Sequence, residues 1–316
     1  MRAAIAMAGL VVGTHLWAQA AVTEGGEQTN RPPADVVVTG TRLQKDIQSV
    51  PVMVHRMETQ GKVETEGVRT LPNLLQGIPS AMVQKTAYGQ GSPYLRGVTG
   101  FRNLMLIEGI RLNNSVFRDG PNQYWNTVDP LSLDHQEVAM GSASVLYGSD
   151  AVGGTLNAMT VTPPEYDGAP GWQRRLYYRG STAEESHIGR VQVGGRPTEA
   201  FGFVGGVSLK DFGDLHGGRK VGRQPHTGYT EQDFDLRFDW YADPDSVITF
   251  GQQSVEQDDA WRTHKTIYGL DWEGLKKGDD KVHSYDQRRE LTWIKGRQGN
   301  LNGGVDAVEW TLSRHG

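Results

Sequence analysis

Five charged side chains stand beside apolar runs that a folded domain must bury: Arg96, Arg102, Glu108, Arg111 and Glu137. A buried charge left without a partner costs on the order of several kcal/mol. Each of the five therefore predicts a counter-charge, either inside its own domain or on a surface against which that domain packs. A further set suits contact with a small molecule. Tyr88, Gln90, Tyr94, Asn114, Phe117, Arg118 and Tyr124 lie in or beside two stretches, Tyr88 to Pro93 and Ser115 to Tyr124, that are rich in Gly, Asn, Gln and Tyr. Ordinary surface loops are the plainer reading of such composition. Asp35, Val36, Val37, Val38 and Thr39 form a β-branched segment behind a polar leader, ready to pair as a strand but lacking a local partner in the sequence.

Nucleophilic, nucleotide and metal chemistry find little support. Gly148 and Gly153-Gly154 are not followed by Lys-Ser/Thr, and neither His-Glu-x-x-His nor Gly-x-Ser-x-Gly occurs. The chain has 0 Cys, which removes disulfides, thiolates and cysteine zinc sites. His135 and Glu137, two apart on a strand, read as a structural pair. His216, His226, His264 and His283 fall in long loops, where exposed histidine is the ordinary expectation. No enzyme activity, cofactor or bound metal is expected, and a net charge of −5 does not suit a nucleic-acid partner.

The elements that must position these groups follow from the apolar pattern. Leu104 to Ile107 is an unbroken apolar run closed by Glu108-Gly109, a buried strand entering a hairpin. His135 to Met140 predicts a second strand, Ala143 to Tyr147 a helical turn, Gly153-Gly154 a bend, and Thr155 to Val161 a third strand. Upstream, Val50 to Met57 and Ala81 to Thr86 read as strands, with Thr70 to Gln76 a short amphipathic helix carrying Leu71, Leu74 and Leu75 on one side.

Taken in order, these motifs resemble the plug domain of TonB-dependent outer-membrane receptors. The resemblance rests on Arg96-Gly97, then the apolar run with Glu108-Gly109-Ile110-Arg111-Leu112-Asn113, then Glu137-Val138 ahead of Gly141-Ser142-Ala143-Ser144-Val145-Leu146-Tyr147-Gly148-Ser149-Asp150-Ala151-Val152-Gly153-Gly154. It departs at Met140-Gly141-Ser142, where the family usually has Arg-Gly-Pro. Asp35 to Arg42 is similar to the TonB box, which recruits the periplasmic energy-coupling protein by strand addition; the alternative is a first strand of the plug sheet.

Residues 1–20 read as a signal peptide, with Arg2 as the charged start and Ala18-Gln19-Ala20 as the cleavage site, and no apolar run approaches the roughly 20 residues of a membrane helix. Residues 21–48 form a leader holding the segment 35–42, and residues 49–162 the plug. From residue 163 to 316 about seven strands of roughly 9–11 residues are predicted, in the range a tilted barrel strand needs. Phe234, Leu236, Phe238 and Trp240 alternate there with Asp233, Asp235, Arg237 and Asp239. Gly195-Arg196-Pro197 and Asp243-Pro244-Asp245 are expected as short turns, with long loops over Asp211 to Thr230 and Glu256 to Asp286.

The expected fold is thus an α+β plug domain followed by antiparallel transmembrane β-strands of an incomplete β-barrel, since a plugged barrel has about 22 strands. The resemblance implies an outer-membrane receptor for energy-coupled uptake of a scarce nutrient, of the ferric siderophore, haem or cobalamin class. Its partners would be a TonB-type coupling protein, outer-membrane lipid and the small-molecule or metal-chelate substrate. A secreted or periplasmic α/β ligand-binding module with an appended β domain is the alternative.

Overall fold

The computed structural model describes residues 36–114, 118–263, 265–271, 273–301, 305 and 307–316. The proposed signal peptide, most of the leader, Asp35, Phe117 and His264 lie outside the described residues. In chain order the strands are β1 (Val36–Val37), β2 (Lys45–Asp46), β3 (Val54–Glu58), β4 (Ala81–Lys85), β5 (Gly91–Leu95), β6 (Asn103–Ile107), β7 (Ile110–Arg111), β8 (Leu133–Met140) and β9 (Gly154–Thr160). The second half continues with β10 (Gly171–Ser181), β11 (Ser186–Thr198), β12 (Phe201–Phe212), β13 (Leu215–His216), β14 (Arg223–Gln224), β15 (Tyr229–Asp243), β16 (Ser246–Trp261), β17 (Ser284–Gly299) and β18 (Ala307–His315). Two helical segments, α1 (Thr59–Thr65) and α2 (Ser144–Tyr147), join short 3-10 turns.

The first half is built on a five-stranded sheet of order β3-β8-β9-β6-β7, in which only β6 and β9 run parallel. Its apolar runs are unbroken because both faces are covered. Met105, Ile107, Val138 and Leu156 point to the main core, and Leu104 and Leu106 pack beneath Ala151 and α2. The expected hairpin at Glu108-Gly109 is present, with both residues at positive φ (53° and 79°). The chain bends at Gly153 into β9 as expected, and both glycines also serve space. A Cβ on Gly153 would stand 2.2 Å from Val98, and one on Gly154 would stand 2.8 Å from the Ala139 carbonyl oxygen. Residues Leu71–Leu75 form a 3-10 turn behind Thr70 where the sequence predicts an amphipathic helix; Pro72 sits at its start, and Leu71, Leu74 and Leu75 are buried as expected.

The second half is one antiparallel sheet of order β10-β11-β12-β15-β16-β17-β18. These are the predicted strands, but several are longer than predicted: β15 has 15 residues, and β16 and β17 have 16 each. Outside the band of alternation β16 continues with Gln252, Ser254, Glu256 and Asp258 on the face that carries Ile248 and Phe250 lower down. Main-chain pairing persists there although the apolar signal that reveals a strand has ended. One expected turn also moves. β11 runs through Gly195-Arg196-Pro197 to Thr198 with a bulge, which accommodates the proline, and the chain reverses at residues 199–200. The turn at residues 244–245 falls where predicted. The connections at the opposite end, residues 213–228 and 262–283, are long.

Alternation sorts the sheet into two faces. Phe234 and Trp240 are exposed on one, beside Leu176, Tyr178, Val207 and Leu209, a continuous apolar surface of the kind that faces lipid. Asp233 and Asp239 are buried on the other, against the first half of the chain. The plug core runs without interruption into this inner wall, joining Leu71, Leu95 and Trp125 to Ile188, Phe212, Leu291 and Trp293.

Neighbouring strands interlock through glycine and tryptophan. Gly251 pairs directly with Trp293, whose ring lies over it, and a Cβ on Gly251 would fall 2.0 Å from the indole. Gly251→Ala is therefore expected to displace Trp293, lowering the thermal unfolding midpoint in detergent and altering the near-UV circular dichroism. Gly189→Ala should be near neutral, since its Cβ would meet nothing closer than 4.0 Å. Equal midpoints for the two variants would refute the seating of that ring.

Candidate plug–wall interface and coupling segment

Of the five charges singled out by sequence, one reaches the wall. Glu108 occupies the β6–β7 turn, where β9 brings Thr160 beside it. The Thr160 N–H and Oγ1 donate to its Oε1 at 2.8 and 2.7 Å. From the wall, Lys295 Nζ donates to the Glu108 carbonyl at 2.9 Å and lies 3.4 Å from Oε2, and Arg237 Nη1 lies 3.4 Å from Oε1. Burial alone would push this carboxyl up, but Lys295, Arg237 and the two Thr160 bonds together hold it down at about 2.

The others serve the plug itself. Arg111 pairs with Asp150 at 2.7 Å and donates to the Tyr147 and Ser149 carbonyls, tying the β6–β7 hairpin to α2. Contrary to expectation, Arg96 and Arg102 are exposed: Arg102 meets Asp119 at the surface, and Arg96 lies on the positive-φ turn after β5. Their sequence neighbours are buried while their own side chains escape to solvent, which charged side chains at turns readily do.

Sequence reasoning missed the most deeply buried contact. Asp129 caps the 3-10 turn Pro130–Ser132 by accepting from the Leu131 N–H at 2.9 Å. Its carboxylate also accepts from Ser208 Oγ at 2.6 Å and pairs with Lys210 at 2.8 Å and Arg190 at 3.5 Å, all on the wall. Burial raises the Asp129 carboxyl, and Lys210 and Arg190 more than reverse this, leaving it below the usual carboxylate range. Lys210 is shared with Glu231 and Asp233. The Asp-Pro pair was a legible capping signal, and the inward charges of β15 were visible as an alternating face; nothing in the sequence joined the two.

A third contact lies toward the long-loop end. Glu184, in the β10–β11 turn, is buried and pairs with Arg69 of the plug at 2.7 Å and with Arg179 at 3.5 Å. It also accepts a short hydrogen bond from the Tyr88 hydroxyl. The Tyr88 ring stacks on Phe212, which stacks on Tyr229. Nearby, burial and the Arg69 charge bring Lys85 down to about 8 despite Glu184.

Among the residues proposed for substrate contact, Tyr88 is thus committed to the wall, a correction of its reading as loop surface. Residues Gly91 to Leu95 are strand β5 rather than loop. Gln90 is buried but borders a small polar cleft with Gln84, Asn122, Arg118 and Arg262. Tyr94 donates to Gln84 Oε1 at 2.8 Å, Asn114 is exposed, and Tyr124 packs against the core.

The β-branched segment does have local partners, contrary to its sequence reading. Val36 and Val37 pair with Asp46 and Lys45, in a ribbon separate from the five-stranded sheet. Val37 is fully buried against Val54 and Ala139. The Val38 N–H lies 3.1 and 3.0 Å from the two Glu137 oxygens, and the Thr39 N–H donates to one of them at 2.7 Å. Thr39 is held further by Asn157 and Tyr147. His135 stands between Asp134 (2.8 Å) and Glu137 (3.4 Å). Burial disfavours the His135 cation, but hydrogen bonds that its ring donates to the two carboxylates raise its pKa overall. Burial likewise disfavours the Glu137 anion, yet His135 and Thr39 lower its pKa overall. The pair is a clamp for the segment's main chain. The docked ribbon escaped notice because a two-residue strand leaves no periodic signal.

Comparison with known proteins agrees with this architecture. Residues 46–155 match the family model of the TonB-dependent receptor plug domain. The vitamin B12 transporter BtuB of Photobacterium profundum is 29% identical over 132 residues, 41% of this chain and 21% of that protein. BtuB of Vibrio cholerae is 29% identical over 140 residues, 44% of this chain and 22% of the relative. The chain thus matches about a fifth of the length of these relatives. Among solved structures, the copper transporter OprC superposes with a TM-score of 0.62 at 17% identity, covering 82% of this chain and 36% of that one. The ferripyoverdine receptor of Pseudomonas aeruginosa gives 0.61 at 15%, covering 84% and 34%. Residues 46–155 thus form a TonB-dependent receptor plug domain, and the proteins that the chain resembles are named as transporters and receptors.

The Glu108 contact has a definite pH dependence. Its carboxyl is lowered from 4.5 to about 2 in the folded chain, so the stabilisation is complete above about 4.5 and is lost as pH falls through about 2. Glu108→Gln, which takes one counter-charge from Lys295 and Arg237 while leaving Arg237 its pairing with Asp239, should cost on the order of 2–3 kcal/mol at pH 7. Thermal unfolding in detergent should show parent and variant converging toward pH 2. A constant difference across that range would refute the pairing.

Proposed function

We propose that the chain acts in energy-coupled uptake of a scarce nutrient across the outer membrane, with the plug as the gate and residues 35–42 as the segment that the periplasmic coupling protein grips. The observation that carries this reading is the docked segment itself. Val38 and Thr39 present main-chain N–H groups to a carboxylate clamp rather than to a central sheet. A short ribbon docked largely through side-chain contacts is freed at lower cost than a strand embedded in a central ladder, and its donors then serve pairing with another chain.

The lipid-facing apolar band and the polar plug–wall contacts support the same reading. The alternative, a water-soluble binding module, would have to expose Leu176, Tyr178, Leu209 and Trp240 to water. The substrate is of the metal-chelate or cobalamin class. The sequence relatives are named vitamin B12 transporters, and the solved neighbours include a copper transporter and a ferripyoverdine receptor.

Val37→Pro removes a main-chain donor and restricts the preceding residue, so strand addition should fail. At matched surface expression in the full receptor, energised accumulation is expected to be abolished while equilibrium binding of substrate to whole cells stays near the parent value. Val37→Thr keeps the β-branch and the donor, so it should retain accumulation although its buried hydroxyl costs some plug stability. Parallel loss of binding and accumulation in Val37→Pro, or normal accumulation, would overturn the coupling role.

A further inference from the structure

A cluster of ionisable side chains lies against the docked segment. β8 supplies Asp134, His135 and Glu137, and β3 lays Arg56 opposite Glu137 and Glu58 opposite His135. β9 opposes the same two residues of β8 with the uncharged Asn157 and Met159. Arg56 donates to the Val36 carbonyl at 2.9 Å and to Glu58 Oε1 at 2.9 Å, and stands 3.7 Å from Asp134. From α2, Tyr147 donates to the Thr39 carbonyl, with the Arg42 guanidinium over its ring. Burial pushes the Tyr147 hydroxyl up to about 12, so it keeps its proton at neutral pH. Of these residue types, only histidine ordinarily changes charge between about pH 5 and 8.

The His135 ring is buried, with Nδ1 2.8 Å from Asp134 Oδ2 and Nε2 3.4 Å from Glu137 Oε1. An ionised carboxylate only accepts, and a neutral imidazole has a single N–H to give. Only the imidazolium satisfies both contacts together. Once the ring proton is lost, the closer Asp134 contact claims the remaining N–H, and a nitrogen lone pair faces Glu137. We propose that His135 is a proton-operated latch on the coupling segment: its imidazolium holds the Glu137 carboxylate where it captures Val38 and Thr39, and loss of the proton frees them. The latch rests on the uptake reading above and names the regulation of that same segment. Its sign follows from the geometry. The docked state binds the ring proton more tightly than the free state, in keeping with the raised pKa of His135. Docking is therefore favoured in full below the ordinary value of 6.5 and is lost as pH rises through the raised one. The segment is withheld in acid and offered to a partner at alkaline pH.

The chain has 0 Cys, so Leu43→Cys, an exposed position between β1 and β2, takes a single nitroxide label. Electron paramagnetic resonance of the full chain in detergent, from about pH 5.5 to about pH 9, reads the docked fraction across the histidine range. The label is expected to be immobile in acid and mobile at alkaline pH. The docked-to-free ratio should fall by up to about tenfold per pH unit, the slope of one proton. The same label at Met82→Cys, exposed on β4, should not change. His135→Gln, neutral throughout, should abolish the transition at Leu43. A flat response at Leu43, a parallel change at Met82, or a transition that persists in His135→Gln would each overturn the latch. The first two are read with His135 in place, so they decide the matter whether or not the variant folds. None of these outcomes touches the uptake reading, which stands or falls on accumulation by Val37→Pro.

Discussion

A carboxylate cannot be taken out of water unpaired, and the fold is arranged around that constraint at Asp129. One carboxylate caps its own 3-10 turn through Leu131 and reaches across to Ser208, Lys210 and Arg190, so the turn and three wall side chains share a single charge. Removing the wall would strand an acid inside the plug. Removing the plug would leave Lys210 among Glu231 and Asp233 with one carboxylate fewer. Each half is incomplete as an electrostatic object, and that incompleteness fixes how they meet.

The polarity of the contacts changes along the wall. At Glu108 and Asp129 the plug supplies the acid and the wall the bases; at Glu184 the wall supplies the acid and Arg69 of the plug the base. A plug shifted along the wall would set like charges against each other, so the alternation specifies one seating, whereas the apolar contacts around Trp125, Leu291 and Trp293 would tolerate several. Polar contacts of this kind are also brittle. They lose most of their energy over a small displacement, because water enters as soon as the partners separate. A hydrophobic face of equal strength would yield more gradually. In the proposed function, brittleness is what lets a pulled plug release without unfolding the wall.

The plug was the most legible part of the chain. Motifs such as Glu108-Gly109 and the α2 segment combine a steric demand with an apolar period, and both survive translation into structure. Strands of the wall were legible where lipid enforces alternation, as from Phe234 to Trp240, and illegible above that band, where β16 runs on through polar residues held by main-chain pairing alone. Charge partners were the least legible. Glu108 announced itself by following an apolar run, but Arg102, with the same local signature, turned to solvent. Asp129 lies 61 residues from Arg190 in the chain, and no local pattern encodes a pairing made only when two distant surfaces meet. The Glu137 clamp spans a longer gap still, 99 residues to Val38 and 98 to Thr39.

The central claim is that buried charge, shared between plug and wall, seats the plug. A double-mutant cycle on Asp129→Asn and Lys210→Met, read by hydrogen exchange of the amides in β8 and in the turn after Asp129, tests it most directly. The account predicts a coupling of about 1–3 kcal/mol, with faster exchange in either single variant than in the double. Additive effects of the two substitutions, or exchange in the plug indifferent to Lys210, would contradict it.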